Sequence, residues 1–188
     1  SSQNTVAQTV NHIAYPVDTA RKRELLTEIL SERYQDQILV FVKTKHLCNR
    51  IAEQITKDGI PALAIHGNKS QGQRLKALSD FKAGNVRVLC ATDVAARGIH
   101  VDDVDVVIHY DPPEDHKAYV HRSGRTARAG ADGLVVSLVQ PAHHKELRKM
   151  QRQIGLDEGF TQPVAGELHT HVPTGARSGE RELVAAAP

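Results

Sequence analysis

The stretch ILVFVKT, residues 38–44, decides the fold class of this chain. Its first five residues, Ile38–Val42, form a continuous apolar run that is typical of a strand buried on both faces of a sheet. Residues 45–57 then carry apolar side chains four positions apart, which predicts a helix that Gly59 ends. A buried strand followed directly by a helix is the repeating unit of parallel α/β proteins.

The same alternation continues in both directions along the chain. Further strands are predicted at 12–17, 62–65, 86–90, 104–109 and 134–139, and further helices at 18–30, 71–82, 115–127 and 143–154. The first of these strands is expected at an edge of the sheet, and Asp18 is predicted to cap the helix that follows it. This order predicts an α/β fold with a doubly wound, mostly parallel sheet and helices on both faces.

The folded part is predicted to span residues 12–155. We interpret residues 1–11 as a flexible N-terminal segment. Residues 156–188 are rich in Gly, Pro, Thr and His and have little apolar periodicity, so we expect a poorly ordered tail or linker there. The chain begins at Ser1 without a methionine, from which we expect a piece cut from a longer protein.

The composition limits how the chain can bind an anionic partner. The formal net charge is only +2, so such a partner must be held by arginines that are clustered locally. Trp is absent, and there are four Tyr and three Phe. A protein that stacks nucleic-acid bases on aromatic side chains is expected to have more of them, so the composition favours recognition of the backbone.

Cysteine and histidine usage argues against disulfides and metal sites. Cys48 and Cys90 lie far apart in apolar stretches without a CxxC motif, which favours a reducing compartment, and we expect a cytoplasmic protein. The histidine pairs at 143–144 and at 169/171 lack cysteine or carboxylate partners at ligand spacing, so we expect surface histidines and no metal site. No apolar run approaches the ~20 residues of a membrane span, so no membrane partner is expected.

Polar residues follow the predicted strands at their carboxyl ends, where open parallel sheets bind ligands. They are small, polar or cationic side chains at Lys43 and Thr44, at 66–69, at Thr92 and Asp93, and at 109–111. Each of these loops, taken alone, could also occur in a sheet that binds no ligand. The prediction of a binding site therefore rests on their convergence at one rim.

The sharpest cluster is HRSGRTAR, residues 121–128. Arg122, Arg125 and Arg128 are three residues apart, which on a helix predicts a nearly continuous cationic ridge. Guanidinium groups suit phosphate oxygens and stabilise the charge of a transferred phosphoryl group. The alternative is a solvated basic face, but no acidic residue interleaves to neutralise this one, so we favour anion binding.

A second cluster is VLCATDVAARGI, residues 88–99. It places Thr92, Asp93 and Arg97 at the end of a strand and in the turn after it, with a hydroxyl that can donate to a phosphate oxygen. Gly98 is expected to permit a backbone conformation or a close approach that other residues forbid. Equally, Asp93 can cap a short helix that starts at Val94, and Thr92 can serve the turn alone.

Together these segments resemble the C-terminal RecA-like domain of DEAD-box ATP-dependent RNA helicases of bacterial type. The resemblance covers about residues 12–155 and rests on several motifs in the right order. Motif IV corresponds to ILVFVKT at 38–44, the QxxR pair to Gln71 and Arg74, motif V to ATDVAARGI at 91–99, and motif VI to HRSGRTAR at 121–128.

The resemblance implies a role for each group of residues. Arg125 and Arg128 would reach the γ-phosphate of ATP, the latter as an arginine finger, with Gly98 and His100 beside the nucleotide. The residues implied in binding the ribose-phosphate backbone of RNA are Thr44, Gly67, Gln71, Arg74 and Thr92. Those implied in inter-domain or internal links that couple the two sites are Asp93, Arg97, His121 and Arg122.

Two departures from the family pattern concern the nucleotide. The family usually has Asp after the glycine and hydrophobic residue of motif V, close to the ribose, and this chain has His100 there. Asp102 stands where a proline is common. Ala127 replaces a frequent glycine, a change that favours helix.

Half of an ATP site is missing from this sequence. It contains neither a GxxxxGK[ST] phosphate loop nor an Asp-Glu-Ala-Asp run. The resemblance therefore implies that ATP and Mg²⁺ are held mainly by an N-terminal RecA-like domain of the same protein, and that the chain alone is inactive. Two other readings stay open, a stand-alone RNA-binding module and a domain of a DNA helicase or translocase.

Overall fold

The computed structural model describes residues 10–126, 133–156 and 159–169. Within these ranges the strands are β1 Val10–Pro16, β2 Ile38–Phe41, β3 Ala62–Ile65, β4 Val88–Ala91, β5 Val106–His109 and β6 Gly133–Val139. The helices are α1 Lys22–Glu32, α2 Lys45–Lys57, α3 Gln71–Lys82, α4 Asp93–Gly98, α5 His116–Ser123 and α6 His144–Gln153. Short 3₁₀ turns at Thr19–Arg21 and Pro141–His143 precede α1 and α6.

The strands form one sheet in the order β1-β6-β5-β2-β4-β3. All five neighbouring pairs are parallel, which confirms the predicted doubly wound α/β fold. β1 lies at one edge, as expected for the strand predicted there. β2 lies between β5 and β4, so both of its sides are hydrogen-bonded and its apolar run is fully buried.

The alternation of side chains along β2 divides the core into two layers. Ile38 and Val40 pack with apolar residues of α1 and α2 on one face of the sheet. Leu39 and Phe41 pack on the other face with residues of α3, α4, α5 and α6. Because successive strand residues point to opposite faces, a short apolar run can bury side chains in both layers at once.

Two helix ends differ from the prediction. Asp18 does not cap a helix with its side chain; it precedes the 3₁₀ turn at Thr19–Arg21, and α1 begins only at Lys22. Helix α5 ends at Ser123, four residues before the predicted end, and Gly124 follows it. The hydroxyl of Thr126 then donates to the carbonyl oxygens of Val104 (2.6 Å) and Asp105 (2.9 Å), which ties this turn to the start of β5.

The packed part of the chain extends beyond the predicted limits at both ends. β1 begins at Val10, so two residues of the predicted N-terminal segment belong to the sheet. Residues 159–169, which we expected in a poorly ordered tail, pack on the domain: the Thr161 amide donates to the Ala14 carbonyl (2.8 Å), and Leu168 is buried. Residues 1–9 and 170–188 lie outside the described residues.

A single carboxylate holds the end of this segment. Glu32, the last residue of α1, accepts hydrogen bonds from the backbone amides of Gly166, Leu168 and His169 and from the His169 ring. Burial acts to raise the pKa of Glu32, but the hydrogen bonds from the His169 ring and the backbone amides together outweigh it and lower the pKa. One apolar residue and a set of backbone amides give no periodic pattern, so the sequence did not predict this contact.

No helix among the described residues combines the length and apolar character that crossing a membrane would require.

Candidate functional site

Three of the loops predicted to bind a ligand meet at one edge of the sheet. Thr92 directly follows β4, Gly67 lies two residues after β3, and Thr44 lies three residues after β2; these strands are neighbours and parallel. We call the edge formed by these three residues the carboxyl rim. These are three of the five residues predicted to bind RNA.

The two threonine hydroxyls of the carboxyl rim remain able to donate. The Thr44 oxygen accepts a hydrogen bond from the Leu47 amide (3.2 Å) as the N-cap of α2, and this contact does not use the hydroxyl proton. Thr92 is the N-cap of α4, but its side chain makes no capping hydrogen bond. Both hydroxyls can therefore donate to an acceptor such as a phosphate oxygen.

The start of α3 extends the carboxyl rim with a cation. A capping box between Ser70 and Gln73 fixes this helix end. One turn along, Arg74 Nη2 donates to Gln71 Oε1 at 2.8 Å, so the two predicted RNA-binding residues of α3 hold each other.

Lysines around the buried His66 make this edge positive. The ring contacts Asn49 at 2.9 Å. Burial lowers the pKa of His66, and the positive charges of Lys69 and Lys45 lower it further. A low net charge therefore coexists with a local concentration of cations beside the threonine hydroxyls.

The residues predicted to couple the sites surround a cleft of only about 20 Å³. Its polar lining consists of Asp93, Arg97, His121, Arg122 and Arg125. We call this the arginine cleft. It lies between α4 and α5, on the face of the sheet that carries Phe41.

Arg122 is the centre of the arginine cleft. Its guanidinium forms a bidentate pair with Asp93, with Nε–Oδ1 and Nη2–Oδ2 distances of 2.8 and 2.7 Å. Nη1 also donates to His109 Nδ1 (3.0 Å) and to the Asp111 carbonyl (2.9 Å). The guanidinium carbon lies 4.9 Å from the Phe41 ring centroid, and the residue is buried.

The predicted exposed ridge of arginines is therefore wrong. Arg122 points into the protein, and Arg125 lies in the turn after α5 and not on the helix. The prediction considered only neighbouring residues, whereas the neutralising carboxylate, Asp93, comes from 29 positions earlier. Asp93 is itself the first residue of α4 and not its cap, and its carboxylate serves Arg122. Arg128 lies outside the described residues.

Arg125 is held more loosely than Arg122. Nη1 contacts Asp102 at 3.2 Å and Nη2 contacts the His121 ring at 3.4 Å. The Asp102 side chain is 50% exposed, so water screens this ion pair strongly. The Arg125 carbonyl accepts from the Val104 amide, which places it near the start of β5 and away from the carboxyl rim at the other end of the strand.

Gly98 and His100 follow Arg97 in the chain and do not line the arginine cleft. Gly98 is the last residue of α4, and His100 is exposed. Gly98 does not have a left-handed backbone, and a Cβ added to it would meet no atom within 4 Å. The expectation that the conformation here requires glycine is therefore wrong for this state.

A stack of buried rings continues from Arg122 to β1. The His109 and Tyr119 ring centroids are 4.9 Å apart, and those of Tyr119 and His12 are 5.6 Å apart. The Tyr119 hydroxyl lies 2.7 Å from His12 Nδ1. Because Arg122 can only donate, His109 Nδ1 accepts and the ring is neutral. Burial first, and then the charge of Arg122, holds the pKa of His109 well below its usual value.

The buried ring of His12 predicts a loss of stability in acid. Burial lowers its pKa from 6.5 to about 4, so its contribution to stability is complete above pH 6.5 and is lost as the pH falls through the folded-state value. The free energy of unfolding should fall between pH 7 and pH 4 in both proteins. We expect this fall to be about 3 kcal/mol smaller in a His12→Asn variant than in the original chain. Urea unfolding across this range measures the difference. Equal pH dependence of the two proteins would contradict the assignment.

Two residues at the centre of this region were given no individual role, although Asp111 belongs to the loop 109–111 that was predicted to reach the rim. Asp111 follows β5, and its backbone and side chain contact both the arginine cleft and the loop before Thr44. Lys22 in α1 is buried against it. A signal for Lys22 was present, because it precedes Leu25 and Leu26 by three and four residues and so lies on the apolar face of its helix.

A larger groove of about 450 Å³ lies elsewhere, between the start of α1 and residues 162–165. It contains none of the predicted site residues. We place the candidate site at the carboxyl rim and the arginine cleft, because these hold the predicted site residues and the larger groove holds none of them.

Comparison with known proteins identifies the family. The sequence matches the family described as "Helicase conserved C-terminal domain" over residues 21–130. The chain belongs to this family. More narrowly, it is the C-terminal RecA-like domain of a DEAD-box helicase, as its relatives show.

Two relatives illustrate the coverage of this DEAD-box domain. DEAD-box ATP-dependent RNA helicase 30 of Arabidopsis thaliana is 40% identical over 76% of this chain and 24% of its own length. ATP-dependent RNA helicase RhlB of Pseudomonas syringae is 38% identical over 82% of this chain and 39% of its own length. The chain thus spans less than half of either relative.

Solved structures agree with the family. The E. coli DEAD-box protein SrmB, solved bound to regulator of ribonuclease activity A, superposes with a TM-score of 0.76 at 35% identity, over 90% of this chain and 98% of that chain. S. cerevisiae Dbp5, solved bound to RNA and ADP BeF3, gives a TM-score of 0.79 at 25% identity, over 98% of this chain and 47% of that chain. The sheet of the DEAD-box C-terminal domain is therefore the sheet described above.

Proposed function

We propose that this domain is the second half of an ATP-dependent RNA helicase, an enzyme that hydrolyses ATP to separate short RNA duplexes. One observation carries the proposal: the Asp93–Arg122 pair joins the segment that bears Thr92 to the segment that bears Arg125. The surface proposed to bind RNA and the surface proposed to sense ATP would thereby be linked within one domain. The relative Dbp5, with bound RNA and ADP BeF3, provides a precedent for both ligands.

On the ATP side, Arg125 and Arg128 would bind the γ-phosphate of a nucleotide held by an N-terminal RecA-like domain. Guanidinium groups fit phosphate oxygens, and the weak, exposed partner of Arg125 can be exchanged for a phosphate at little cost. Mg²⁺ would be bound by that first domain, while the carboxylate of Asp93 serves Arg122. Gly98 and His100 would lie beside the ribose.

On the RNA side, the carboxyl rim would hold the ribose-phosphate backbone. The hydroxyls of Thr44 and Thr92 would donate to phosphates, the amide of Gly67 would do the same, and Gln71 with Arg74 would add a cation. None of these groups reads a base edge, so we expect little sequence preference.

In the proposed cycle, binding of ATP·Mg²⁺ and RNA closes the two domains on each other. Closure brings Arg125 and Arg128 to the γ-phosphate, and the joint surface bends or crowds one RNA strand, which destabilises a short duplex. Water attacks the γ-phosphorus, the bond from that phosphorus to the oxygen bridging it to ADP breaks, and ADP and inorganic phosphate form with release of a proton. The arginines would stabilise the charge of the transition state. Release of the products then lets the two domains separate. Arg97 and His121 would line the closing interface.

The first test concerns the domain alone. We expect the purified chain to show no ATP hydrolysis above background, because the phosphate loop and the Mg²⁺ ligands belong to the other domain. The full-length protein should hydrolyse ATP in an RNA-stimulated manner. A phosphate-release assay on both proteins checks this, and turnover by the chain alone would refute the division of the ATP site.

The choice of nucleic acid separates this proposal from its rivals. Competition between RNA and DNA of the same sequence for the full-length protein should favour RNA, whereas a DNA translocase would tolerate loss of the 2′-hydroxyls. A stand-alone RNA-binding module would bind RNA without any need for Arg125. We also propose a cytoplasmic location, with which the free and buried thiols of Cys48 and Cys90 agree.

A further inference from the structure

Asp111 contacts both functional surfaces of the domain with different atoms. Its backbone carbonyl accepts from Arg122 Nη1 at 2.9 Å, and Arg122 is the residue paired with Asp93 in the arginine cleft. Its carboxylate oxygen Oδ2 accepts from the backbone amide of Lys43 at 2.7 Å. Lys43 immediately precedes Thr44, so one residue connects the arginine cleft to the carboxyl rim.

The sheet itself cannot provide the acceptor that Asp111 supplies. β2 and β5 separate after Phe41 and His109, where the amides of Tyr110 and Asp111 both point to the Phe41 carbonyl, at 3.1 and 3.4 Å. The Lys43 amide lies beyond the last pair of the ladder. A charged acceptor makes a stronger hydrogen bond than a carbonyl does, so the carboxylate fixes the backbone at the point where the chain turns towards Thr44.

Lys22 holds this carboxylate from the other side. Its ammonium lies 3.3 Å from Asp111 Oδ1 and 3.3 Å from Gln140 Oε1, and 4.4 Å from the Tyr110 ring centroid. The Lys22 side chain is only 4% exposed. Burial lowers the pKa of Lys22, and the Asp111 carboxylate opposes that shift. A buried lysine is costly where packing alone is needed, so this one indicates a requirement for its charge.

We infer that Asp111 is a positioning residue that transmits the state of the Asp93–Arg122 pair to Thr44, with Lys22 as the cation that fixes its carboxylate. When Arg122 moves on domain closure, it shifts the Asp111 carbonyl. The Asp111 carboxylate moves with its backbone and shifts the Lys43 amide that is bonded to it. The inference rests on the proposed function, because it concerns the RNA affinity of the carboxyl rim.

The test is Asp111→Asn in the full-length protein, with ATP hydrolysis measured as RNA is titrated. We expect the RNA concentration for half-maximal stimulation to rise about tenfold, because a charge-assisted hydrogen bond is lost. The rate at saturating RNA should stay within about twofold, since Arg125 is untouched. Asp58→Asn is the matched control: it makes the same chemical change in an exposed pair with Arg23, at the opposite end of α2 from Thr44.

The outcomes separate this inference from the proposed function. A folded Asp111→Asn protein with unchanged half-saturation by RNA would overturn the positioning role. Should that variant fail to fold, Lys22→Met keeps the carboxylate but removes its cation, and it should raise half-saturation in the same direction by about threefold. No change in Lys22→Met would equally overturn the inference. If the original protein shows no RNA-stimulated hydrolysis, it is the proposed function that fails.

Discussion

Replacing Arg125 with alanine in the full-length protein should lower RNA-stimulated ATP hydrolysis by about 10³-fold or more, and Arg128→Ala should have an effect of the same order. The reason is that, in the proposed function, the guanidinium stabilises charge that develops on the γ-phosphate in the transition state. ATP binding should survive, because we propose that the first domain holds the nucleotide. Phosphate release and nucleotide binding, measured on the same preparations, separate the two effects.

Two further variants control the arginine experiment. Arg125→Lys keeps the charge but loses the planar fork, so it should recover little of the activity. Arg23→Ala removes an exposed arginine that is paired with Asp58, in a helix on the opposite face of the sheet from the arginine cleft, and the variant should hydrolyse ATP at the original rate. A rate near the original for both Arg125→Ala and Arg128→Ala would show that neither arginine takes part in ATP hydrolysis.

Asp93→Ala should destabilise the domain by about 3–5 kcal/mol, because it leaves the buried guanidinium of Arg122 without its counter-charge. Arg122→Met should also be destabilising in the original chain. In the Asp93→Ala background, however, the same substitution should change the free energy of unfolding by no more than about 1 kcal/mol, since the uncompensated charge is then gone. Urea denaturation of the four proteins measures the coupling.

Asp36 offers a matched comparison for Asp93. Both carboxylates have 28% exposed side chains and face an arginine, but Asp36 contacts Arg33 through a single 3.1 Å bond. Burial raises the pKa of Asp36 in spite of that arginine, so its pairing does not offset its desolvation. Asp36→Ala should therefore cost no more than about 1 kcal/mol of unfolding free energy.

Additive effects of Asp93→Ala and Arg122→Met would show that their ion pair contributes nothing.

The layout of the fold was predictable because its determinants are local. The run Ile38–Val42 and the four-residue spacing of α2 each identify one element, and strand–helix alternation fixes the parallel order. The loops at the carboxyl ends of the strands were likewise predictable as a rim, since the polarity of a parallel sheet determines where its loops lie.

Pairing between distant side chains was not predictable in this way. Arg122 looked like one of three equivalent arginines in the sequence, yet a carboxylate from another element turns it inward. The end of α5 was misplaced because the Thr126 hydroxyl, which bonds to carbonyls before β5, competes with a further helical turn. Contacts of this kind depend on the assembled fold and leave no periodic trace.

The docking of residues 159–169 on Glu32 changes where this domain should be cut for recombinant work. A protein shortened at residue 155 would lose the buried Leu168. The Glu32 carboxylate would also lose the backbone amides that donate hydrogen bonds to it. Tags, fluorophores and fusion partners belong after His169, so that the attached group does not compete for the end of α1.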